Sequence, residues 1–337
     1  MITDLHILKR KGADLNMTTG KIVAALPTFT DRHRRLIAEA AQAHGYTVAF
    51  YPDTQSAVAD VGDAEIILSY NPDPAKQAPK LKWFCTSSAG VDPFLKEGVF
   101  ASPDAVLTNS SGAYGVTIAE HIVMVTLEIM RRQQEYTDIV SRREWIRNLP
   151  IRAIHGSRVT LLGTGDIGQE AVQRLRAFRP AELVGVNRRG ANPRGLFDRV
   201  LTQDRLDEVL PKTDLLIISL PGTAETRHMV SARRLAMMPD GAIIVNVGRG
   251  HVVDTRALET ELRTGRLHAA LDVFEQEPLP QDDPLWTCPN LLITPHIAGN
   301  MTLPYTVDRI VSMFLEDFEN YCAGRPLKHL VERKRGY

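Results

Sequence analysis

From residue 21 onward, short apolar runs alternate with longer segments in which apolar residues recur at helical spacing. The early helical segment at 31–44 ends at Gly45. Strands that alternate with helices are typical of a parallel sheet with both faces covered. The first part of the chain is therefore predicted to be a doubly wound, flavodoxin-like α/β domain. Its five predicted strands are 21–26, 47–51, 65–70, 81–86 and 105–109.

A second alternating series begins at residue 157 and predicts a second doubly wound parallel sheet, of the Rossmann type. Its predicted strands are 157–163, 182–187, 214–220, 242–247, 268–273 and 290–295. Its predicted helical stretches lie near 166–177, 204–210, 231–237 and 254–264.

The segments that flank this second series predict the domain organisation. Residues 114–142 contain no proline and are predicted to form one long helix, followed by an aromatic-bearing loop at 142–150. Residues 302–323 are predicted to be helical and follow the last strand directly, so we expect them to return to the first domain. The prediction is a discontinuous substrate domain of residues 1–117 and 300–337. A Rossmann dinucleotide-binding domain of residues 118–299, with the long helix at its start, is inserted into it.

Composition restricts the partners and the compartment. Lysine plus arginine and aspartate plus glutamate both number 40, so no net charge favours nucleic acid or an acidic membrane. No apolar run approaches the roughly 20 residues of a membrane span. Residues 1–20 lack a signal-peptide pattern, and the three cysteines form no disulfide framework. We therefore expect a cytoplasmic protein with a polar N-terminal extension.

A glycine-rich turn follows the first strand of the second series. It reads Gly163-Thr164-Gly165-Asp166-Ile167-Gly168 and opens an amphipathic helix, the context in which a G-x-G-x-x-G motif indicates a dinucleotide site. Gly163 allows the tight turn, Gly165 lets the backbone approach the pyrophosphate, and Gly168 lets helix and strand pack closely. The N–H groups of the helix N-terminus, with Asp166 and Ile167, would face the phosphates.

The residues after the next strand bear on the choice of dinucleotide. Asn187, Arg188 and Arg189 stand where an NAD-preferring site has an acid for the ribose hydroxyl. Arginine there suits the 2′-phosphate of NADP, so NADP is favoured over NAD. The alternative is that the two arginines are ordinary solvated charges.

Three residues with complementary chemistry follow three later strands. Arg249 can bind a substrate carboxylate through two parallel hydrogen bonds and polarise the neighbouring carbonyl. His296 can carry a proton at neutral pH, and Glu277 can fix its tautomer and favour the imidazolium. Since binding crevices of such sheets lie at the carboxyl ends of the strands, these residues predict proton-coupled hydride transfer to a small carboxylic acid.

The other acids and histidines fit this prediction less well. Asp272 ends a strand and is predicted to brace the turn there, and Glu275 is expected to be solvated. His121 and Glu120, within the long helix, are interpreted as packing or interdomain residues rather than catalysts. No cluster has the spacing of a metal site.

A small-residue loop follows a strand of the first domain at Ser88, Ala89, Gly90 and Val91. Consecutive backbone N–H groups in such a loop can form a nest for an anion. We expect it to bind the substrate carboxylate from the side opposite Arg249, with an ordinary strand–helix turn as the alternative.

These motifs together resemble the D-isomer-specific 2-hydroxyacid dehydrogenases, from about residue 80 to 323. The similar segments are SSAGVD (87–92), AEH (119–121), LLGTGDIG (161–168), LPGTAETRH (220–228), VNVGRG (245–250), ALDVFEQEPLP (270–280) and TPHIAG (294–299).

The resemblance implies roles for residues of this chain. Arg249, Glu277 and His296 would be the catalytic trio, with residues 89–91 as the substrate-carboxylate loop. It also implies a homodimer paired through the nucleotide domain and long helix, with Trp145 reaching the partner's cleft as in glyoxylate/hydroxypyruvate reductases. Besides the glycine turn and residues 187–189, the cofactor contacts would be Thr117, Pro221, Thr223, Thr226, Asn246, Val247, Gly248, Arg249, Asp272 and His296.

The chain departs from the family pattern at two places and leaves alternatives open. Ala89 stands where many members have glycine, and the acid after the second Rossmann strand is missing. The leading hypothesis is a reductase of glyoxylate or hydroxypyruvate that uses NADPH or NADH. Formate dehydrogenase, which has glutamine in place of Glu277, phosphite dehydrogenase and a dinucleotide-sensing corepressor are the alternatives.

Overall fold

A computed structural model describes residues 20–192 and 194–333, so the predicted extension lies outside it except for Gly20. Its strands are β1 (Gly20–Ala25), β2 (Tyr46–Tyr51), β3 (Ile66–Ser69), β4 (Trp83–Thr86), β5 (Val106–Thr108), β6 (Arg158–Leu162), β7 (Glu182–Asn187), β8 (Arg199–Thr202), β9 (Leu215–Ile218), β10 (Ile243–Asn246), β11 (His268–Leu271) and β12 (Leu291–Ile293). Its α-helices are α1 (Asp31–Ala43), α2 (Thr54–Ala57), α3 (Gly115–Met130), α4 (Gln133–Ser141), α5 (Asp166–Arg176), α6 (Ala232–Met237), α7 (Thr255–Arg263) and α8 (Pro304–Cys322).

The described residues divide into two units. The first unit comprises the residues up to Ala113 and those from Met301 onward, and the second unit comprises Tyr114–Asn300. The predicted boundaries at 117 and 300, and the predicted division of tasks between two domains, stay predictions.

The first unit contains one sheet of five parallel strands in the order β2-β1-β3-β4-β5. Strands β3 and β4 are buried along their whole length. Helix α8 packs on this sheet, and the ring of its Phe314 stacks on Trp83 of β4 with the centroids 5.2 Å apart. This strand order is that of a flavodoxin-like sheet, as predicted.

The second unit contains seven parallel strands in the order β12-β11-β10-β9-β6-β7-β8. The order reverses between β6 and β9, the switch point at which doubly wound sheets bind dinucleotides. The predicted fold class of two doubly wound parallel-sheet domains, one of them a Rossmann domain, is confirmed. Strand β8 was not predicted, because its short polar sequence lies at the sheet edge and lacks a buried apolar run.

The prediction of one continuous helix over 114–142 is wrong. Helix α3 ends at Met130, and α4 begins at Gln133 after Arg132, whose φ is +57°. The apolar residues that cover α3 stop at Met130 and the polar run Arg131–Arg132–Gln133 follows. Without apolar side chains to bury, the helical path has no packing to hold it there. The following loop exposes Trp145, which is 89% accessible.

Helical stretches elsewhere differ in detail from the prediction. The stretch predicted near 204–210 is two short 3₁₀ segments, and α8 begins at Pro304 rather than 302. Of the helices that the structure describes, none combines the length and the apolar character needed to cross a membrane.

Candidate functional site

Three neighbouring strands of the second unit end at the loops that carry the predicted reacting residues. Strand β11 pairs with β10 on one side and β12 on the other, all parallel. Arg249 follows β10, Glu277 follows β11, and His296 follows β12. Parallel pairing puts their carboxyl ends at one edge of the sheet, so the three loops are neighbours although they are separated in sequence.

His296 and Glu277 form a hydrogen-bonded pair. Nδ1 of His296 lies 2.6 Å from Oε2 of Glu277, and Oε1 of Glu277 accepts the N–H of Phe274 at 2.9 Å. His296 has φ +54°, and its N–H donates to the carbonyl of Thr294. The tight turn thus orients the imidazole so that Nδ1 contacts Glu277 and Nε2 is the ring nitrogen that does not.

Electrostatics favour an imidazolium beside a carboxylate. The hydrogen bond that His296 donates to Glu277 raises the pKa of His296, and burial, which opposes this, is the smaller effect. Burial of Glu277 is the largest single effect and disfavours its charged form, but the hydrogen bonds from His296 and the Phe274 N–H, with the charges of His296 and Arg249, together lower the pKa of Glu277. The pair is therefore set up to hold a proton on His296 near neutral pH.

The loop that carries Arg249 is held by its neighbours. Buried Asn246 accepts the N–H of Gly248 and donates to the carbonyl of Arg249. A Cβ on Gly250 would lie 1.9 Å from the carbonyl carbon of Phe274, so only glycine allows the approach of these two loops. The positive charge of Arg249 lowers the pKa of both Glu277 and His296, so all three groups share one electrostatic environment.

Asp272 braces the loop that presents His296, as predicted from its position at the strand end. The carboxylate is 3% accessible and accepts the hydroxyl of Thr294 at 2.6 Å and the N–H groups of Ile297 and Ala298 at 2.8 and 3.0 Å. These three donors already hydrogen-bond to the Asp272 carboxylate. A cofactor in contact with this loop would therefore need other groups of the loop as partners. His121 of α3 lies 3.3 Å from the same Thr294 hydroxyl.

The glycine turn has the shape that a pyrophosphate needs. Gly163 has φ +104°, and a Cβ on Gly168 would lie 2.2 Å from the carbonyl of Gly163, so α5 packs directly on the turn. A Cβ on Gly165 would meet nothing within 4 Å, which leaves space for a ligand against the backbone. The side chain of Asp166 instead lies against Gly115 at the start of α3, so this position offers its backbone to a phosphate. These residues fit a bound dinucleotide.

The end of β7 is organised around Asn187. Its side chain donates to Thr164 and to the carbonyl of Ala191 and accepts the N–H of Arg189. The amide therefore holds the turn that carries the two arginines next to the glycine turn. A shallow surface depression beside it is lined by Thr164, Gln169, Ala191, Asn192, Arg194, Leu196 and Phe197.

The loop after β9 contains three further predicted cofactor positions, which hydrogen-bond to one another. The hydroxyl of Thr226 donates to the carbonyl of Pro221 and accepts the N–H of Thr223, which closes the loop after β9. Thr117 lies in the first turns of α3, partly buried.

Glu275 is exposed, as expected, and it also takes part in hydrogen bonds that were not predicted. It accepts from Nε2 of His228 at 3.2 Å and from the N–H of Thr255 at 3.2 Å. The sequence carried no signal for this pair, because 47 residues separate its side chains. The contact between His121 and Thr294 was not predicted either, although Thr294 stands two residues before His296.

The small-residue loop lies in the first unit, after β4. The Ser88 hydroxyl donates to the carbonyl of Gly90, and the Asn109 amide donates to the carbonyl of Ala89. Within residues 20–192 and 194–333, the N–H groups of Ala89, Gly90 and Val91 make no hydrogen bond. Carbonyls held on one side and N–H groups left available on the other are what an anion-binding nest needs.

Comparison with known proteins identifies relatives of most of the chain. Residues 123–298 match the family model of the D-isomer specific 2-hydroxyacid dehydrogenase, NAD binding domain. Glyoxylate/hydroxypyruvate reductase B of Yersinia pestis (strain Pestoides F) is 33% identical over 286 residues, which cover 80% of this chain and 85% of that protein.

Solved structures agree with these relatives. A D-isomer specific 2-hydroxyacid dehydrogenase family protein from Aeromonas salmonicida superimposes with a TM-score of 0.82 and 32% identity, over 93% of this chain and 99% of that one. The NADPH-dependent glyoxylate/hydroxypyruvate reductase of Sinorhizobium meliloti, in complex with NADP and sulfate, has a TM-score of 0.76 and 27% identity, over 95% of this chain and 100% of that one. The similarity therefore extends over both units.

Proposed function

Because this chain belongs to the D-isomer-specific 2-hydroxyacid dehydrogenase family, we propose that it reduces glyoxylate or hydroxypyruvate to the 2-hydroxy acid, with His296 as proton donor. It is an NAD(P)-dependent enzyme of the glyoxylate/hydroxypyruvate reductase type. The observation that carries the assignment of roles is the 2.6 Å contact between His296 and Glu277, beside the charge of Arg249.

Carbonyl reduction adds a hydride to carbon and a proton to oxygen. The dinucleotide, when bound, supplies the hydride and is oxidised as the carbonyl carbon is reduced. His296 supplies the proton from Nε2, because Nδ1 is engaged by Glu277. Glu277 stays ionised and stabilises the imidazolium until the proton leaves. In alcohol oxidation, the neutral ring accepts the proton at the same atom.

Arg249 binds the substrate carboxylate and polarises its carbonyl. A guanidinium offers two parallel N–H groups to a carboxylate, which orients the 2-oxo group as well as attracting it. We assign the second set of carboxylate donors to the N–H groups of residues 89–91, on the basis of their available hydrogen-bonding capacity. By this proposal the first unit is the substrate domain and the second unit the dinucleotide domain.

NADPH is the proposed reductant. Arg188 and Arg189 follow β7, the Asn187 side chain holds that turn against Thr164, and no carboxylate stands in the turn to repel a 2′-phosphate. The S. meliloti reductase was solved with NADP. The remaining proposed cofactor contacts are those of the glycine turn and of the loops after β9, β10, β11 and β12.

Assembly and location follow from the family resemblance. We propose a cytoplasmic homodimer, with exposed Trp145 in the contact between subunits. Its mass in solution at micromolar concentration tests the dimer.

The decisive assay is a panel of glyoxylate, hydroxypyruvate and pyruvate with NADPH and with NADH. We expect oxidation of NADPH with the first two acids, and we expect His296→Asn to abolish turnover while the protein still binds the dinucleotide. Formate and phosphite with the oxidised dinucleotides form the second arm. Turnover only in that arm, or dinucleotide binding without any turnover, contradicts the proposal.

A further inference from the structure

Beneath the His296 loop, a chain of polar groups connects the loop to α3. It consists of His121, Thr294 and Asp272, and none of the three is assigned a proton-transfer role above. Thr294 is tied to its surroundings at three points: its N–H donates to Leu271, its carbonyl accepts from His296, and its hydroxyl meets Asp272. Thr294 and Asp272 therefore supply several of the hydrogen bonds that hold the backbone around His296.

The direction of the hydrogen bonds follows from the chemistry of the partners. An ionised carboxylate only accepts, so the single hydroxyl proton of Thr294 goes to Oδ1 of Asp272, 2.6 Å away. The hydroxyl oxygen can then only accept from Nε2 of His121, at 3.3 Å. Burial lowers the pKa of His121, against the opposing charges of Asp272 and Glu128, so the ring is neutral at neutral pH. It must therefore be the Nε2–H tautomer.

Asp272 connects this series of hydrogen bonds to residues on both sides of His296. The same carboxylate that receives the Thr294 hydroxyl also receives the N–H groups of Ile297 and Ala298. His296 stands between these anchors with φ +54°, a conformation that a non-glycine residue adopts only where its surroundings enforce it. Loosening either anchor would let the imidazole move away from Glu277.

We propose that His121 and Thr294 are positioning residues, whose hydrogen-bond chain to Asp272 holds the 294–298 loop so that Nδ1 of His296 stays against Glu277. The inference rests on the proposed function only in taking His296 as the proton donor. It gives His121 of the AEH segment a positioning role in addition to the packing or interdomain role expected from the sequence.

The test uses two pairs of variants that differ in the relevant hydrogen. Thr294→Val keeps the shape and removes the hydroxyl, whereas Thr294→Ser keeps the hydroxyl. His121→Leu removes the donor, whereas His121→Gln keeps an N–H donor at a similar reach. We expect Thr294→Val and His121→Leu to lower kcat/KM for 2-oxo acid reduction about tenfold to hundredfold, because small misplacements of a catalytic group have large effects. In Thr294→Ser and His121→Gln, kcat/KM should stay within about threefold of the wild-type value.

Two readouts separate positioning from mere packing. In Thr294→Val and His121→Leu, the decline of kcat/KM at alkaline pH should begin at a lower pH. The reason is that a weaker contact with Glu277 stabilises the imidazolium of His296 less. The double variant should lose no more than the poorer single variant, since both interrupt one chain. Dinucleotide affinity should stay within about twofold, and Glu120→Gln, an exposed neighbour on α3, serves as the unchanged control.

Nitrogen-15 spectra of the histidine rings test the inference without any turnover. In the wild type they should show His121 as the Nε2–H tautomer at neutral pH, and the pKa of His296 should be lower in Thr294→Val than in Thr294→Ser. A His121 proton on Nδ1, or equal His296 pKa and equal turnover in the two Thr294 variants, overturns the inference. Absence of 2-oxo acid reduction by the wild type would instead overturn the proposed function, and the spectra would still test the hydrogen bonds between His121, Thr294 and Asp272.

Discussion

Nδ1 of His296 and Oε2 of Glu277 lie 2.6 Å apart, although 19 residues separate them in sequence. Each residue shifts the pKa of the other in the direction that favours the ion pair. The pair therefore determines over which pH range a proton is available for transfer.

Glu277→Gln should lower the pKa of His296, because the glutamine amide carries no charge to stabilise the imidazolium. Reduction needs the protonated ring, so its alkaline limit should move to lower pH, and kcat at pH 8 should fall by about tenfold or more. Oxidation of the 2-hydroxy acid, which needs the neutral ring, should suffer less. The pH profiles of kcat/KM in both directions measure this. An unmoved alkaline limit would contradict the role of Glu277.

The same pair should make a small, pH-dependent contribution to the free energy of unfolding. The lowered pKa of Glu277 stabilises the fold above its ordinary value of 4.5, and this stabilisation is lost as the pH falls through the lowered pKa. The raised pKa of His296 stabilises the fold below its ordinary value of 6.5, and this is lost as the pH rises through the raised pKa. Both groups are partly exposed, so the contribution is below about 1 kcal/mol.

Urea unfolding of the wild type and of Glu277→Gln between pH 4 and 9 measures this term. The difference between them should be greatest from pH 4.5 to 6.5 and should shrink on either side. A difference that grows steadily with pH would show that the pair does not ionise as described.

Arg249→Lys should raise KM for the 2-oxo acid by about a hundredfold, because an ammonium cannot form two parallel hydrogen bonds with a carboxylate. Dinucleotide affinity should change little. A rise in KM for the dinucleotide as large as that for the acid would contradict the main role assigned to Arg249, binding of the substrate carboxylate. Initial rates at saturating concentrations of each substrate in turn distinguish the two.

Two glycine substitutions should separate folding from cofactor binding. A Cβ on Gly250 would collide with the backbone of Phe274, so Gly250→Ala should destabilise the protein by roughly 1–3 kcal/mol. A Cβ on Gly165 meets open space, so Gly165→Ala should unfold at nearly the wild-type temperature. It should nevertheless weaken NADPH binding about tenfold or more, because the methyl group occupies the space proposed for the pyrophosphate. Thermal unfolding and fluorescence titration with NADPH give the two quantities; equal NADPH affinity would remove Gly165 from the site.

Much of the fold and of the candidate site could be predicted from local sequence. Apolar runs as long as a buried strand predicted 11 of the strands, because a parallel sheet covered on both faces leaves few polar positions. The glycine turn and the order Arg249, Glu277, His296 could be recognised for a related reason. In parallel sheets the position after each strand is always at the same edge, so local position already implies spatial proximity.

The tertiary structure decided what depends on partners far along the chain. Whether α3 continues past Met130 depends on the apolar side chains available for packing, and the hydrogen-bond partner of Glu275, His228, lies 47 residues away in sequence. His121 and Thr294 are separated by 173 residues, and no local pattern indicates that they meet. Hydrophobic burial produces a periodic pattern that can be read in the sequence. Directional hydrogen bonds between side chains far apart in sequence produce no such pattern and are seen only in the atomic coordinates. The loop that orients His296 is held by hydrogen bonds of this second kind.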